Sequence, residues 1–250
     1  MKRHIPNIIT CLNLVSGTAA VILTLWGYYW PAFCFILAGA VFDVCDGAAA
    51  RLLGAYSDIG KELDSLSDLV TFGLAPALMF FCWYYKINTA YPSCVAFISL
   101  IIVPLSAVRL ARFNLDENQK SSFIGLPTPS LAMIAGSVIA YCHLCLQHNV
   151  SGILPDLLCS SWFIPIVSTI LALMLVSSIP MFSLKGGSDD RYLAAAKKIF
   201  FVTALVIVIL CIFFRNGQLP LIASVFQMIF FIFVWYLILQ VAMAFIPRRA

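Results

Sequence analysis

The sequence predicts an all-α membrane protein, a polytopic bundle of about eight transmembrane helices. Hydrophobic residues make up 62% of the 250 residues and charged residues only 10%, and the mean hydropathy is +1.00. Soluble domains are about 45–50% apolar and about 25% charged, so this chain has too few charges to cover a soluble globule. Its apolar stretches are continuous, whereas the strands of a membrane β-barrel alternate apolar and polar residues.

Eight stretches are long enough to be spans, since a transmembrane helix needs about 20 mostly apolar residues. Polar or turn-forming segments separate several of them, at residues 54–61, 114–122, 186–191 and 215–220. The predicted spans lie near residues 11–30, 32–53, 66–85, 91–112, 128–147, 160–182, 195–214 and 219–246. Because the connections are short, residues 1–250 are predicted to form a single integral-membrane domain.

The distribution of basic residues predicts the orientation. With eight spans and a cytoplasmic N-terminus, all of the 15 Lys and Arg residues except Lys86 and Arg215 fall at the cytoplasmic side. Such an asymmetry is typical of cytoplasmic segments, and a miscounted span would destroy it. Both termini are therefore predicted to be cytoplasmic. The compact chain, with no transit segment, favours a prokaryotic plasma membrane.

The acidic residues are concentrated in one short region. An Asp at the centre of a span costs about 2.5–3.5 kcal/mol on insertion scales, and two nearby cations, Arg51 and Lys61, cannot neutralise six acids. The sequence therefore predicts one or two bound divalent cations, and carboxylate oxygens favour Mg²⁺ or Mn²⁺ without distinguishing them. The six acids between residues 43 and 68 are Asp43, Asp46, Asp58, Glu62, Asp64 and Asp68.

Helical spacing predicts that these acids meet. At about 100° per residue, Asp46 and Arg51 lie within about 80° of Asp43 on one helix face. Asp64 and Asp68 are one turn apart on the next helix. Since the connection between the two helices is short, the two acidic faces are predicted to meet at the cytoplasmic end of a helix hairpin.

The complete segment has a recognisable pattern. It reads Asp43-x2-Asp46-Gly47-x2-Ala50-Arg51-x8-Gly60-x3-Asp64-x3-Asp68. This pattern resembles the defining motif of the CDP-alcohol phosphatidyltransferases at every fixed position. The resemblance implies a membrane enzyme that displaces CMP from a CDP-linked lipid by an alcohol.

The resemblance also implies roles for the motif residues. Asp43, Asp46 and Asp64 would hold one metal ion, and Asp43, Asp64 and Asp68 a second. Asp68 would also be the catalytic general base for the attacking hydroxyl. The residues implied to bind the CDP group are Gly47, Ala50, Arg51 and Gly60. The two glycines have an alternative interpretation, since small residues also allow close helix packing in membranes.

The N-terminal segment resembles the first helix of that family. Asn7, Thr10 and Asn13 recur every three residues and share a face. They are predicted to contribute to the CDP site, although capping and interfacial hydrogen bonding would also explain them. With this helix, the catalytic part of the chain is predicted to span residues 1 to about 147.

A second region bears on the acceptor alcohol. Residues 106–114 and 123–129 resemble the phosphatidylserine-forming branch of the family, which implies L-serine as acceptor and CDP-diacylglycerol as donor. Arg109 and Arg112 share a helix face, and their guanidinium groups suit the serine carboxylate. Thr128, in the turn before the fifth span, is assigned to the same site. The alternative is two arginines that merely reach the interface from a helix end.

Several alternatives stay open on the sequence alone. The same chemistry could use glycerol 3-phosphate, inositol or choline. An aspartate-rich prenyltransferase fits the Gly47 and Arg51 spacing poorly, and an ion-coupled transporter predicts acids spread over several spans. No histidine has a Lys two residues later, which excludes the phosphatidylserine synthases that use paired His-x-Lys motifs. The family resemblance further implies a homodimer.

Overall fold

A computed structural model describes residues 4–88, 94–115, 123–181, 191–215 and 217–244. The chain is almost entirely helical in these ranges. In chain order the elements are α1 (Ile5–Leu25), α2 (Tyr29–Leu53), α3 (Asp58–Asp68), a π-helix (Leu69–Leu74), α4 (Ala75–Ile87), a 3₁₀ helix (Cys94–Ile101), α5 (Ile102–Leu115), β1 (Phe123–Ile124), α6 (Thr128–Gln147), α7 (Ile153–Leu158), α8 (Phe163–Leu175), β2 (Pro180–Met181), α9 (Arg191–Phe213) and α10 (Leu221–Ala244).

Seven helical segments of the described chain are long and apolar enough to cross a bilayer. The prediction of an all-α polytopic membrane bundle is thereby confirmed. The seven segments are Ile5–Leu25, Tyr29–Leu53, Asp58–Ile87, Cys94–Leu115, Thr128–Gln147, Ala196–Phe213 and Leu221–Met243.

The span predicted near residues 160–182 is helical over a shorter range. α8 has 13 residues, about 20 Å at 1.5 Å per residue, against about 30 Å for the hydrocarbon core. After α8 the chain is extended, and β2 pairs antiparallel with β1. The hydroxyl of Ser177 donates to the carbonyl of Met174 at 2.9 Å, and Pro180 has no N–H to continue a helix. The predicted eight spans are thus seven long segments and one short apolar helix.

The third span begins earlier than predicted, at Asp58 rather than near residue 66. Its first turns are polar, which lowers the hydropathy without stopping the helix. Ser57 caps the helix, because its Oγ accepts a hydrogen bond of 3.0 Å from the Gly60 N–H. Asp64 and Asp68 therefore lie on one continuous helical segment, Asp58–Ile87, which is long and apolar enough to cross a bilayer.

This helical segment changes its winding directly after Asp68. Residues Leu69–Leu74 form a π-helix between α3 and α4, a rare geometry that often marks functional sites. The hydroxyl of Thr71 in this segment donates to the carbonyl of Asn13 on α1 at 3.1 Å. The π-helix therefore ties the third span to α1 one turn beyond Asp68.

The core is organised around α6, whose residues are nearly all buried. Phe33 of α2 lies against Gly136, where a Cβ would overlap its ring. The rings of Phe33 and Phe226 meet edge to face at 5.3 Å between centroids. Helices α2, α6 and α10 thus share one apolar core, while α1 and α3 pack at the side that carries the acids.

The charge argument for the orientation depends partly on residues without a structural description. Lys2, Arg3, Lys120, Lys185, Arg248 and Arg249 lie outside the described residues. The cytoplasmic position of both termini therefore stays a prediction.

Gly17 allows α1 to approach the π-helix closely. A Cβ at this position would lie 2.8 Å from Thr71 Cα, so Gly17→Val is expected to destabilise the fold by about 1–3 kcal/mol through overpacking. The measurement is the melting temperature in detergent. Thr18→Val is the control, because Thr18 is exposed and its hydroxyl bonds only locally to Leu14. Equal melting temperatures of the two variants would contradict the close packing.

Candidate active site

Three carboxylates converge where α2 meets α3. Oxygen atoms of Asp43, Asp64 and Asp68 lie within 4.8 Å of one another. Asp68 is only 9% exposed, and the other two are partly buried. Three like charges at this separation repel one another strongly away from water, and an all-oxygen donor set suits a hard divalent cation. The three carboxylates therefore form a site that could hold a divalent metal ion.

Asp46 has different surroundings from the other three acids. It is 6% exposed, and its Oδ2 lies 2.6 Å from the hydroxyl of Thr10 on α1. No trio of described residues that includes Asp46 meets the 4.8 Å distance. Its Oδ2 therefore faces α1. The metal-ligand role of Asp46 stays a prediction.

Asn13 connects α1 to Asp68. Its side chain is fully buried, and its Nδ2 donates to Asp68 Oδ1 at 3.2 Å. One turn earlier, the carbonyl of Thr10 accepts a hydrogen bond of 3.2 Å from Ser67. Asn13 is therefore placed to orient the Asp68 carboxylate. Its predicted contribution to the CDP site stays a prediction.

A large cavity of about 480 Å³ opens beside the acids. This volume is within the range of about 300–1,000 Å³ that small-molecule sites occupy. Five of the seven residues predicted to bind CDP line it, while Asn13 and Arg51 do not. The residues that line the cavity are Pro6, Asn7, Thr10, Asp46, Gly47, Ala50, Ala55, Tyr56, Ser57, Asp58, Gly60, Lys61 and Asp64.

The two glycines of the motif differ in what surrounds them. At Gly60 a Cβ would lie 2.9 Å from Ser57 Oγ and 3.0 Å from Asn7 Oδ1, so two side-chain oxygens crowd this position at the cavity wall. At Gly47 the nearest atom to a Cβ is Arg51 Nη1, at 3.6 Å. Gly47 therefore leaves its backbone open to the cavity, with the exposed Arg51 side chain at the rim.

Arg109 lines a second, smaller cavity. It is 9% exposed, and its Nη1 lies 3.5 Å from the hydroxyl of buried Thr128. Its buried Nε has no hydrogen-bond partner among the described residues. Its charge interacts with Asp68. The second cavity has a volume of about 70 Å³ and is lined by Arg109, Arg112, Phe113, Leu175, Val176, Ser177 and Ser178. Of the three residues predicted for the acceptor site, Arg109 and Arg112 thus line the same cavity, and Thr128 contacts Arg109.

Sequence reasoning missed two groups of lining residues. One is the α2–α3 connection with Tyr56 and Ser57, which follows the motif directly and could have been found from its polarity. The other is the segment after α8 with Ser177 and Ser178, which no sequence pattern marks.

The fold and the site together define a helical membrane protein with a metal-competent acidic cluster beside a nucleotide-sized cavity. The sequence profile of the CDP-alcohol phosphatidyltransferase family matches residues 3–173, which is more than half of the 250 residues. The chain belongs to the CDP-alcohol phosphatidyltransferase family.

The chain is also similar to curated proteins, each named as a CDP-diacylglycerol–serine O-phosphatidyltransferase. The relative from Mycobacterium leprae is 35% identical over 185 residues, covering 71% of this chain and 57% of that protein. The relative from Methanocaldococcus jannaschii is 38% identical over 155 residues, covering 62% of this chain and 68% of that protein. The relative from Bacillus subtilis is 37% identical over 131 residues, covering 52% of this chain and 72% of that protein. The chain thus spans little more than half the length of the mycobacterial relative.

Proposed function

We propose that this protein transfers the phosphatidyl group from CDP-diacylglycerol to the hydroxyl of L-serine and releases CMP. The observation that carries the proposal is the position of buried Arg109, which interacts with Asp68 and lines a small cavity beside the acidic cluster. The names of the relatives from three organisms support the same acceptor.

In the proposed reaction the serine oxygen attacks the phosphorus atom that is bonded to diacylglycerol. The bond between this phosphorus and the bridging oxygen breaks, and CMP leaves with that oxygen. Asp68 accepts the hydroxyl proton, since an aliphatic alcohol is a weak nucleophile without a base within hydrogen-bond reach. Asn13 holds Oδ1 of Asp68, which fixes the carboxylate for this proton transfer.

We propose that Asp43, Asp64 and Asp68 hold a divalent cation, Mg²⁺ or Mn²⁺, and that Asp46 contributes to a second. Such ions neutralise the diphosphate and the departing CMP. The large cavity would hold the CDP group, with Gly47 and Ala50 against it and Arg51 at its rim. The volume of this cavity and the glycine backbone at its wall support this placement.

Charge favours serine over choline and inositol. Arg109 and Arg112 offer two guanidinium groups at the small cavity, which suit a carboxylate. Choline has no anionic group for them, and inositol is larger than serine. Glycerol 3-phosphate, which is anionic, is the strongest alternative with the same chemistry.

The test is CMP release from CDP-diacylglycerol by purified protein with each candidate acceptor. Serine is expected to support release, while glycerol 3-phosphate, inositol and choline give only the background rate. Release with glycerol 3-phosphate alone would keep the chemistry and reject serine. Release with none, from protein with a cooperative melting transition, would reject the proposed function.

Metal removal is a further prediction. Treatment with EDTA is expected to abolish CMP release, because the uncompensated carboxylates would repel the diphosphate. Adding Mg²⁺ or Mn²⁺ back is expected to restore it, while Ca²⁺, a larger ion with a less rigid coordination shell, restores less. Full activity after exhaustive chelation would contradict the metal assignment.

We further propose that residues 1–250 form one integral-membrane domain in the prokaryotic plasma membrane, with its catalytic part at residues 1 to about 147 and the site facing the cytoplasm. The shared core of α2, α6 and α10 supports a single domain. Arg51, Lys61, Arg109 and Arg112 lie at the end of the bundle that carries the site, as cytoplasmic segments do. A homodimer is implied by the family resemblance alone, and light scattering in detergent tests it.

A further inference from the structure

The small cavity is built from two distant parts of the chain. Arg109, Arg112 and Phe113 of α5 form one wall. The other wall is the α8 loop, residues 176–179, with Leu175 at the end of α8. The family match ends at residue 173, so this second wall lies outside the matched region.

Hydrogen bonds fix the α8 loop in place. The N–H of Gly125 donates to the carbonyl of Ile179 at 3.0 Å, and the N–H of Leu126 donates to the carbonyl of Met174 at 2.8 Å. Gly125 has a φ of +78°, and a Cβ there would overlap the carbonyl oxygen of Leu175. Only glycine therefore allows the segment before α6 to lie this close to the loop.

The cavity has the chemistry of an anion site. Arg109 is more than nine-tenths buried, yet its Nε is without a hydrogen-bond partner in the part of the chain that the structure describes, and a buried donor left unsatisfied is unfavourable. Among the described residues, the lining contains two guanidinium groups, two serine hydroxyls and no carboxylate. Its volume of about 70 Å³ holds a few water molecules, since one needs about 10–15 Å³ on this measure.

We propose that Ser177 and Ser178 are specificity-determining residues, which bind the amino-acid end of the acceptor against Arg109 and Arg112. This inference rests on the proposed function. The Ser178 hydroxyl supplies a donor to the acceptor carboxylate, and the oxygens of both serine hydroxyls can accept from its ammonium group. The hydrogen-bonded loop limits the size of the molecule that fits, and Arg109 joins this cavity to Asp68.

The test uses Ser178→Ala and Ser178→Leu, because the Ser177 hydroxyl also donates to the Met174 carbonyl. We expect Ser178→Ala to raise the KM for L-serine about fivefold, the effect of one lost hydrogen bond of ordinary strength. Ser178→Leu places a bulky apolar side chain at the cavity wall and is expected to raise that KM more than tenfold. The KM for CDP-diacylglycerol is expected to stay unchanged. Ser151→Leu, at an exposed serine in the α6–α7 connection, is the matched control.

Thermal stabilisation by L-serine gives a readout without turnover. Wild-type protein is expected to melt at a higher temperature in millimolar L-serine, and Ser178→Leu is expected to lose this shift. Turnover of serine with an unchanged KM in Ser178→Leu would overturn the inference and leave the proposed function intact. If another alcohol proves to be the acceptor and Ser178→Leu raises the KM for that alcohol, the cavity is still the acceptor site, but L-serine is rejected as the acceptor. If the folded protein shows no turnover with any acceptor and no thermal shift in L-serine, both the inference and the proposed function are overturned.

Discussion

Replacing Asp68 by asparagine is expected to lower kcat for CMP release by about 10³- to 10⁴-fold. Asparagine has nearly the same shape, so the packing against Asn13 is kept, but the amide can neither accept the serine proton nor carry a negative charge toward a metal ion. Loss of a general base alone lowers rates by about 10²- to 10⁴-fold. The rate is measured in detergent at saturating serine and CDP-diacylglycerol.

Glu62→Gln is the matched control for this substitution. Glu62 is an exposed acid on the same helix, and its side chain contacts Asn114 rather than the carboxylate trio. The control is expected to keep its activity within about twofold, as expected for a surface charge. An Asp68→Asn variant that retains more than a tenth of the wild-type kcat would contradict the role of Asp68 as the base.

Arg109→Gln is expected to lower kcat/KM for L-serine by about 10²- to 10³-fold, through a higher KM for serine. The substitution removes charge-assisted hydrogen bonds to the carboxylate, and truncating one partner of a buried charged pair costs about 2–5 kcal/mol. The KM for CDP-diacylglycerol is expected to change little. Discrimination between L-serine and ethanolamine, which lacks the carboxylate, is expected to fall in parallel.

Arg215→Gln makes the same chemical change at the opposite end of the bundle, where Arg215 donates to the carbonyl of Leu219. It is expected to leave both KM values unchanged. Because Arg109 is buried, a melting curve must accompany its kinetics, and Arg109→Lys is the substitute if Arg109→Gln does not fold. An unchanged serine KM in a folded Arg109 variant would mean that the acceptor carboxylate binds elsewhere.

The architecture and the acidic cluster were accessible from the sequence because each depends on local periodicity. Continuous apolar stretches define spans regardless of how they pack. The spacing of Asp43, Asp64 and Asp68 fixes their helix faces, and a short connection leaves the two helices little freedom except to pair. The structure brings these three acids together accordingly, while their roles in catalysis stay predictions.

Other features depend on contacts between distant segments, which periodicity does not reveal. The π-helix after Asp68 carries Thr71, which hydrogen-bonds to α1, and no residue type in the sequence marks this change of winding. Asn13 was assigned to the CDP site from its helix face, and its hydrogen bond to Asp68 could not be read from that face alone. The α8 loop reaches Arg112 only because β1 and β2 pair, so Ser177 and Ser178 carry no signal in the sequence.

The most direct test of the central claim follows radiolabelled L-serine into lipid while CMP is measured in the same reaction. The purified protein, CDP-diacylglycerol and Mn²⁺ or Mg²⁺ are the only other components. The account predicts that labelled phosphatidylserine and CMP appear in equal amounts, and that both disappear in Asp68→Asn. CMP formed without labelled lipid would mean that water or another alcohol is the acceptor, and would contradict the account.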